Sequence, residues 1–230
     1  MRLHTIVAAL LLTTSCAGTA PGPTLRQRYG LQQPQALDPA RTALVLVDWQ
    51  EEFFSGGLVL PPSQSLPALA QARRLLQGAR QAGLQVIHVE DVVDAGAPLF
   101  AAGSTGARIR PELAPLPGEG VVTKRMAGGF SRSDLHEKLQ ALGVRTVVVS
   151  GLMTHLAVDT TVRDALVLGY EVLLPGDASA TRDLPGTMGA PAIEAAALHR
   201  ATLAALADRF ASVASTDEVL ALFARAAAAP

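Results

Sequence analysis

Residues 146–168 read TVVVSGLMTHLAVDTTVRDALVL, and this stretch decides how the chain folds. It opens with Thr146–Ser150, a run of mostly β-branched residues that predicts a strand buried on both faces. The uncharged turn Gly151–Ala157 follows, and a helix is predicted over Leu156–Leu168, with Gly169 as its stop. A buried strand that leads into a helix is the repeating unit of a parallel sheet with helices on its faces.

The same alternation of buried strand and amphipathic helix runs through the rest of the chain from residue 42 onward. The other strands are predicted over Thr42–Asp48, Gln85–Glu90, Val121–Lys124, Glu171–Leu174 and Ala211–Ser215. The other helices are predicted over Ser65–Gln81, 134–142, Pro191–Phe210 and Thr216–Ala227. Asp134 and Glu137 have the spacing of a capping box for the second of these helices. The pattern predicts one α/β domain, a parallel sheet covered by helices on both faces.

Composition excludes several classes of function. The chain has 230 residues, a formal net charge of −1 and a single cysteine. Without a basic surplus, binding to nucleic acid is not expected. One cysteine excludes an intramolecular disulfide, a CxxC redox pair and any multi-cysteine metal site. No GxGxxG follows a strand, and neither GxxxxGK[ST] nor GxSxG occurs, so the dinucleotide, P-loop and α/β-hydrolase signatures are missing.

Residues 1–20 have the pattern of a secretory signal peptide: Arg2 precedes the apolar run Ile6–Leu12, and small residues follow it. Cys16 lies where this run ends, which resembles a bacterial lipoprotein signal whose cysteine carries a lipid anchor and attaches the protein to a membrane. Secretion with cleavage near Ala17 and an uncleaved tail are the alternatives. Either form of export predicts an extracytoplasmic protein, lipid-anchored in the cell envelope or secreted.

The rest of the chain divides into two parts. Residues 21–40 contain several Pro and Gly residues and are expected to form a tether or a surface wrap. Residues 41–230 are expected to form the folded domain. They contain no internal repeat and no sign of a second core.

Ligands bind at the carboxyl ends of the strands in open parallel sheets, and this rule selects a candidate site. Asp48 ends the first predicted strand, Glu90 and Asp91 end the second, and Lys124 ends the third. The turn Gly151–Ala157 follows the fourth strand and can present backbone N–H groups at a helix N-terminus. The alternative is structural, since a strand-end Asp also serves as a turn or cap residue and a lone Lys as a solvated one.

Three segments along this edge resemble the isochorismatase-like cysteine hydrolases: VDWQEEF at Val47–Phe53, VVTKRMAGGF at Val121–Phe130 and GLMTHLAVDTTVRDA at Gly151–Ala165. The resemblance covers nearly all of the chain after Thr42. It implies a Rossmann-like, doubly wound, mostly parallel sheet, a homo-oligomer (dimer or tetramer) and a small-molecule substrate. Amide-cleaving members of this family use an Asp, a Lys and a Cys.

The resemblance implies roles for individual positions. Asp48 matches the family's Asp and Lys124 its Lys, while Ala157 stands at the position of the nucleophilic Cys. The oxyanion hole would consist of the backbone N–H groups of Met153 and Ala157, beside a cis peptide bond at Leu152–Met153. In such a trio the carboxylate takes the thiol proton and the cation favours the thiolate. The carboxyl group then protonates the leaving amine.

With alanine at position 157 this chain cannot use that mechanism, because a methyl group cannot attack a carbonyl. Cys16 cannot replace the missing thiol, because it belongs to the predicted export signal. By ancestry the substrate is a small amide-like molecule with a C–N bond, and three hypotheses remain open. In the first hypothesis Ala157 is an engineered substitution that traps substrate. In the second the protein is a pseudoenzyme, which binds a small ligand and does not convert it. In the third hypothesis the change is natural and Asp48, as general acid, protonates a vinyl ether that water then attacks, as in isochorismatases.

Four further residues are predicted to contact the substrate: Trp49, Phe53, Phe130 and His155. The alternatives are core packing for the aromatic residues and support of the turn for His155. Metal-binding members of the family carry an Asp/His set after the second strand, and Ile87–Asp94 (IHVEDVVD) lacks that set, so no metal is expected. No organic cofactor is expected either.

Overall fold

A computed structural model describes residues 22–228 as one sheet with helices on both faces. The predicted signal peptide (1–20), with Cys16, lies outside the described residues. The strands are β1 (Thr42–Val47), β2 (Gln85–Asp91), β3 (Gly120–Lys124), β4 (Thr146–Leu152), β5 (Glu171–Pro175), β6 (Ser179–Ala180) and β7 (Ser212–Ala214). The α-helices are α1 (Leu25–Arg28), α2 (Pro62–Gln81), α3 (Leu135–Ala141), α4 (Asp159–Val167), α5 (Ala195–Arg209) and α6 (Thr216–Ala227). None of these helices is both long and apolar enough to cross a membrane.

The strand order across the sheet is β3-β2-β1-β4-β5-β7, and the short β6 pairs with the end of β4. Every pairing of these strands is parallel. The chain moves outward on one side from β1 to β3 and then continues on the other side from β4, so the order reverses between β1 and β4. This doubly wound, Rossmann-like arrangement confirms the predicted fold class.

Helices pack on both faces of the sheet. Alternate residues of β1 point to opposite faces, so each face receives half of its side chains. Leu44 and Leu46 join a core formed with α2 and α6, whereas Val45 and Val47 join a second core formed with α3, α4 and α5. All residues of β1 are buried, and for this reason the strand is an unbroken apolar run in the sequence.

The residues that precede β1 lie along the β7 side of the sheet. The Arg26 guanidinium donates to the hydroxyl of Ser212 at 2.7 Å, and the side-chain amide of Gln33 donates to the carbonyl oxygen of Val213 at 3.0 Å. Since β7 is the last strand on that side, these contacts cover part of its free edge.

One predicted capping box and one predicted helix start are wrong. The side chain of Asp134 makes no cap at α3, and its carboxylate lies 2.5 Å from the Lys138 ammonium one turn later, so the predicted capping box is absent. Helix α5 begins at Ala195 and not at Pro191, because the Asp183 carboxylate accepts the N–H of Ala195 at 2.7 Å. That carboxylate is distant in sequence, and no local pattern predicts it.

Candidate active site

The candidate site lies at the carboxyl ends of β1 and β4, where the strand order reverses and where sheets of this type bind ligands. Asp48 directly follows β1, and Met153 directly follows β4. Gly151 allows the two strands to approach, since a Cβ there would lie 2.4 Å from the carbonyl oxygen of its ladder partner Val47. Asp48 has a φ of 54°, a left-handed conformation that Asp adopts more readily than most residues.

A buried ion cluster joins the ends of three adjacent strands. The Lys124 ammonium at the end of β3 lies 2.9 Å from Oδ2 of Asp48 and 3.0 Å from Oδ2 of Asp91. The side chain of Lys124 is 1% exposed, that of Asp48 4% and that of Asp91 19%. The Oδ1 atoms of both carboxylates are buried and have no hydrogen-bond partner among residues 22–228. The predicted pair Asp48 and Lys124 is therefore in direct contact, and Asp91 shares the ammonium.

Burial dominates the titration of Asp48. Removal of its carboxylate from water raises the pKa of Asp48 to about 7. The charge and hydrogen bond of Lys124 lower this pKa, whereas the charges of Asp91 and Glu90 raise it further. A carboxyl group with such a pKa is present in both protonation states near neutral pH. It can therefore act as a general acid or as a general base.

Gln50 holds Asp91 in place beside Asp48. Its side-chain amide donates to the carbonyl oxygen of Asp91 and accepts the N–H of Asp91, each at 2.8 Å. The same amide donates to the carbonyl oxygen of Ala107 at 2.8 Å, and the Gln50 side chain is fully buried. Sequence reasoning missed this residue, because its partners lie on another strand and in a later loop.

The turn after β4 begins with a cis peptide bond at Leu152–Met153, as expected from the family resemblance. A π-helical turn, Thr154–Val158, follows and leads into α4. The carbonyl oxygen of Met153 accepts two N–H groups of this turn, at 3.0 and 3.2 Å. No turn or loop hydrogen bond among the described residues uses the N–H of Met153. Ala157 is 3% exposed and belongs to the second core.

Thr161 on α4 ties this turn to the loop that follows β3. Its hydroxyl donates to the carbonyl oxygen of Ala157 at 2.6 Å and accepts the N–H of Gly129 at 2.8 Å. The side chain is fully buried, so both bonds are shielded from water. Only its position four residues after Ala157 signals this role, because a helical Thr can bond the carbonyl at that spacing.

Two histidines brace the same turn. His199 on α5 shares a hydrogen bond of 2.8 Å with the hydroxyl of Thr154, and His155 bonds to the hydroxyl of Thr181. Burial lowers the pKa of both imidazoles, and the nearby Arg182 lowers that of His155 further. This geometry favours support of the turn over substrate contact for His155.

The aromatic residues that were predicted to contact substrate lie mostly in the hydrophobic cores of the protein. Trp49 and Phe53 are 2% and 3% exposed and belong to the core that faces α2. The Trp49 indole N–H donates to the hydroxyl of Ser150 at 3.3 Å. Phe130 is partly buried, with its ring centroid 5.9 Å from that of Tyr170. Contact of these side chains with substrate stays a prediction, and the structure supplies a packing role for each.

Two acidic residues at strand ends do not join the ion cluster. The Glu90 carboxylate accepts the hydroxyl of Thr123 at 3.2 Å. Asp177 accepts the N–H and the hydroxyl of Thr216, both at 2.8 Å, and so caps α6. Within residues 22–228, no group of three or more His, Cys, Asp or Glu side chains is arranged to hold a metal ion.

Residues 42–218 match the family model described as the isochorismatase domain. The secreted isochorismatase effector Isc1 of Verticillium dahliae is 35% identical over 187 residues, which cover 81% of this chain and 94% of that protein. The ureidoacrylate amidohydrolase RutB of Stutzerimonas stutzeri is 32% identical over 180 residues, which cover 64% of this chain and 73% of that protein. The crystal structure of an isochorismatase from Pseudomonas putida KT2440 matches with a TM-score of 0.79 and 38% identity. The match covers 86% of this chain and 99% of the chain in that crystal structure.

The matched region begins with β1 and extends into α6, and it therefore contains every strand of the sheet as well as the ion cluster and the turn after β4. On this match, and on the extent of its similarity to the secreted effector, the chain belongs to the isochorismatase family.

Proposed function

We propose that this chain hydrolyses a vinyl-ether bond in a small molecule, with Asp48 as the general acid and water as the nucleophile. The buried Asp48 carboxyl carries the proposal, because a pKa of about 7 lets it supply a proton at neutral pH. Ala157 supports it too, because the turn after β4 offers no nucleophilic side chain at that position. The similarity to a protein named as an isochorismatase effector is in line with the same chemistry.

In the proposed reaction, Asp48 transfers its proton to the terminal carbon of the C=C bond. The ether oxygen stabilises the resulting oxocarbenium ion, and water adds to the carbon that carries this oxygen. One proton of the water returns to Asp48 and the other leaves with the alcohol as the C–O bond breaks. One vinyl ether and one water thus become one alcohol and one ketone.

Lys124 is placed to support the proton transfer. Once Asp48 has given up its proton, the ammonium at 2.9 Å faces a carboxylate, so the new charge is stabilised where it forms. The N–H of Met153 supplies a donor for an oxygen of the substrate. No covalent intermediate is required, and an alanine at position 157 is compatible with every step.

The test is pyruvate release from isochorismate, a 1-carboxyvinyl ether, by the purified protein. We expect turnover by the wild type and a loss of about 100-fold or more in Asp48→Asn, since general acid catalysis typically contributes that much. Asp94→Asn is the matched control, because this carboxylate is 91% exposed and pairs with Arg125. Equal rates for the wild type and Asp48→Asn would overturn the proposal.

A second candidate is a protein that binds an amide-like ligand and releases it unchanged. The Met153 N–H favours it, because this donor still suits a carbonyl oxygen while Ala157 leaves no thiol to attack the carbon. The similarity to an amidohydrolase makes ureidoacrylate the probe. Calorimetric binding of ureidoacrylate without product, together with no release of pyruvate from isochorismate, would favour this candidate over the vinyl-ether hydrolase.

We also propose that the protein acts outside the cytoplasm. The N-terminal pattern supports export, as does the similarity to a protein named as secreted. Lipid attachment at Cys16 would appear in the mass of the mature N-terminus and be lost in Cys16→Ala but not in Ser15→Ala. The dimer or tetramer implied by the family resemblance is tested by light scattering of the purified protein.

A further inference from the structure

We propose that Asp91 is a positioning residue of this site: by sharing the Lys124 ammonium, it keeps on Asp48 the proton that the reaction consumes. The use of that proton rests on the proposed function. The charge relationship between the three side chains does not depend on any substrate, and it can be measured without one.

The sheet order places Asp91 between the other two groups. Because β2 lies between β1 and β3, the side chain of Lys124 must cross the end of β2 to contact Asp48. Asp91 is the ladder partner of Lys124 on β2. Its Oδ2 lies 3.0 Å from the ammonium nitrogen, against 2.9 Å for Oδ2 of Asp48. One ammonium therefore serves two carboxylates on neighbouring strands.

The charges of this cluster balance only when one proton is bound. With both carboxylates ionised, the cluster has one positive and two negative charges. A net charge in a buried site is costly, because water cannot solvate it. One proton bound within the cluster makes it neutral.

Burial decides which carboxylate holds the proton. The Asp91 side chain is 19% exposed and can be partly hydrated as an anion, whereas the Asp48 side chain is only 4% exposed. Burial disfavours the charged form of a carboxyl group, and it does so more strongly for the more deeply buried group. We therefore expect the proton of the cluster on Asp48.

Other charged groups do not duplicate this role. The charges that act on Asp48 belong to Lys124 on β3 and to Asp91 and Glu90 on β2. The Glu90 carboxylate is engaged with a hydroxyl of β3 and has no contact with the ammonium among residues 22–228. Strand β4 and the π-helical turn after it contain no Asp, Glu, Lys or Arg, and the one titratable residue there, His155, is bonded to a threonine.

The experiment is a titration of the Asp48 carboxyl carbon by NMR in the full-length protein labelled with carbon-13 aspartate. The Asp48 signal is assigned from its disappearance in Asp48→Asn. In Asp91→Asn we expect the titration midpoint of Asp48 to fall by about one pH unit, because one negative neighbour is gone and Lys124 is left to Asp48 alone. Asp91→Glu restores the charge and should return the midpoint towards that of the wild type.

Asp94→Asn is the control, since it makes the same chemical change in the same segment at an exposed ion pair. An Asp48 midpoint that is unchanged or raised in Asp91→Asn would overturn the inference, as would an equal fall in Asp91→Glu. If Asp91→Asn does not fold, Asp91→Ser takes its place, because the bonds to Gln50 use only the backbone of residue 91.

The NMR result separates this inference from the proposed function. A lowered midpoint in Asp91→Asn supports the inference even if the wild type releases no pyruvate from isochorismate. If pyruvate is released, the upper pH limit of kcat/KM in Asp91→Asn should move to lower pH by the same amount as the Asp48 midpoint. A fall in rate at every pH without such a shift would mean that Asp91 acts only on structure.

Discussion

The ammonium nitrogen of Lys124 lies 2.9 Å from a carboxylate oxygen of Asp48, across the end of the strand that separates the two residues. Both side chains are almost inaccessible to water. In this setting desolvation outweighs the ion pair, so the pKa of Asp48 rises to about 7 instead of falling. The same two residues on an open surface would form an ordinary salt bridge. Here the Asp48 carboxyl can remain protonated near neutral pH.

The rate of vinyl-ether hydrolysis should depend on pH through Asp48. A general acid must be protonated, so kcat/KM is expected to be constant below pH 7 and to fall about tenfold per pH unit above the pKa of about 7. Initial rates of pyruvate release between pH 5 and 9 measure this. A rate that rises through neutral pH would instead assign Asp48 the role of a base.

The substitution Asp48→Asn should stabilise the protein more at pH 8 than at pH 5. The pKa of Asp48 is raised in the folded state from its usual 3.8 to about 7, so the folded chain holds a proton that the unfolded chain has lost, and stability falls as pH rises between these values. The gain in unfolding free energy from Asp48→Asn should be roughly 2–3 kcal/mol larger at pH 8. Urea denaturation at both pH values tests this, with Asp94→Asn as the control, and an equal effect at both would contradict the raised pKa.

The substitution Ala157→Cys should introduce cleavage of amides. The thiol would stand at the family's nucleophile position, with Asp48 to take its proton and the Met153 N–H to receive the oxyanion. We expect the variant to hydrolyse ureidoacrylate at least about tenfold faster than the wild type, which has no thiol at this position. Ala157→Ser is the control for size, and in a Cys16→Ser background the new thiol is the only one. No amide cleavage by a folded Ala157→Cys protein would mean that the turn has lost the geometry for this reaction.

The substitution Thr161→Val should destabilise the turn that carries Ala157. It keeps the shape of the side chain but removes the bonds to Ala157 and Gly129, and the buried N–H of Gly129 is left without a partner. A buried unpaired donor costs about 1–3 kcal/mol, so the unfolding free energy should fall by that amount and kcat should fall as well. Thr160→Val, a half-buried neighbour on the same helix, is the matched control. Equal losses in the two variants would argue against this specific role.

Glu119 should make the fold sensitive to acid. Burial alone would raise its pKa, but hydrogen bonds from Arg80, the Leu116 N–H and His88 outweigh burial and lower the pKa of Glu119 to about 2. The stabilisation is complete above pH 4.5, the usual pKa of Glu, and is lost as pH falls towards 2. Glu119→Gln should therefore cost roughly 2–3 kcal/mol at pH 7 and much less at pH 3, as measured by thermal unfolding. Exposed Glu137→Gln should have little effect at either pH.

Local patterns were sufficient for most of the fold. Alternating buried strands and amphipathic helices predict the parallel sheet, and the polar residues at strand ends select Asp48 and Lys124. Patterns failed where a contact joins distant parts of the chain. Asp183 caps α5 from outside the helix, and β6 has only two residues, too few to show a period.

The sequence by itself determined which groups this protein has for chemistry: an Asp and a Lys at strand ends, an uncharged turn between a strand and a helix, and alanine in place of the nucleophile. Only the tertiary structure decided how those groups behave. The order of the strands brings Asp91 to the same ammonium as Asp48, and burial raises the pKa of Asp48 to about 7. The physical reason is that a side chain's identity is local, whereas its solvation and its charged neighbours are set by residues far away in the sequence.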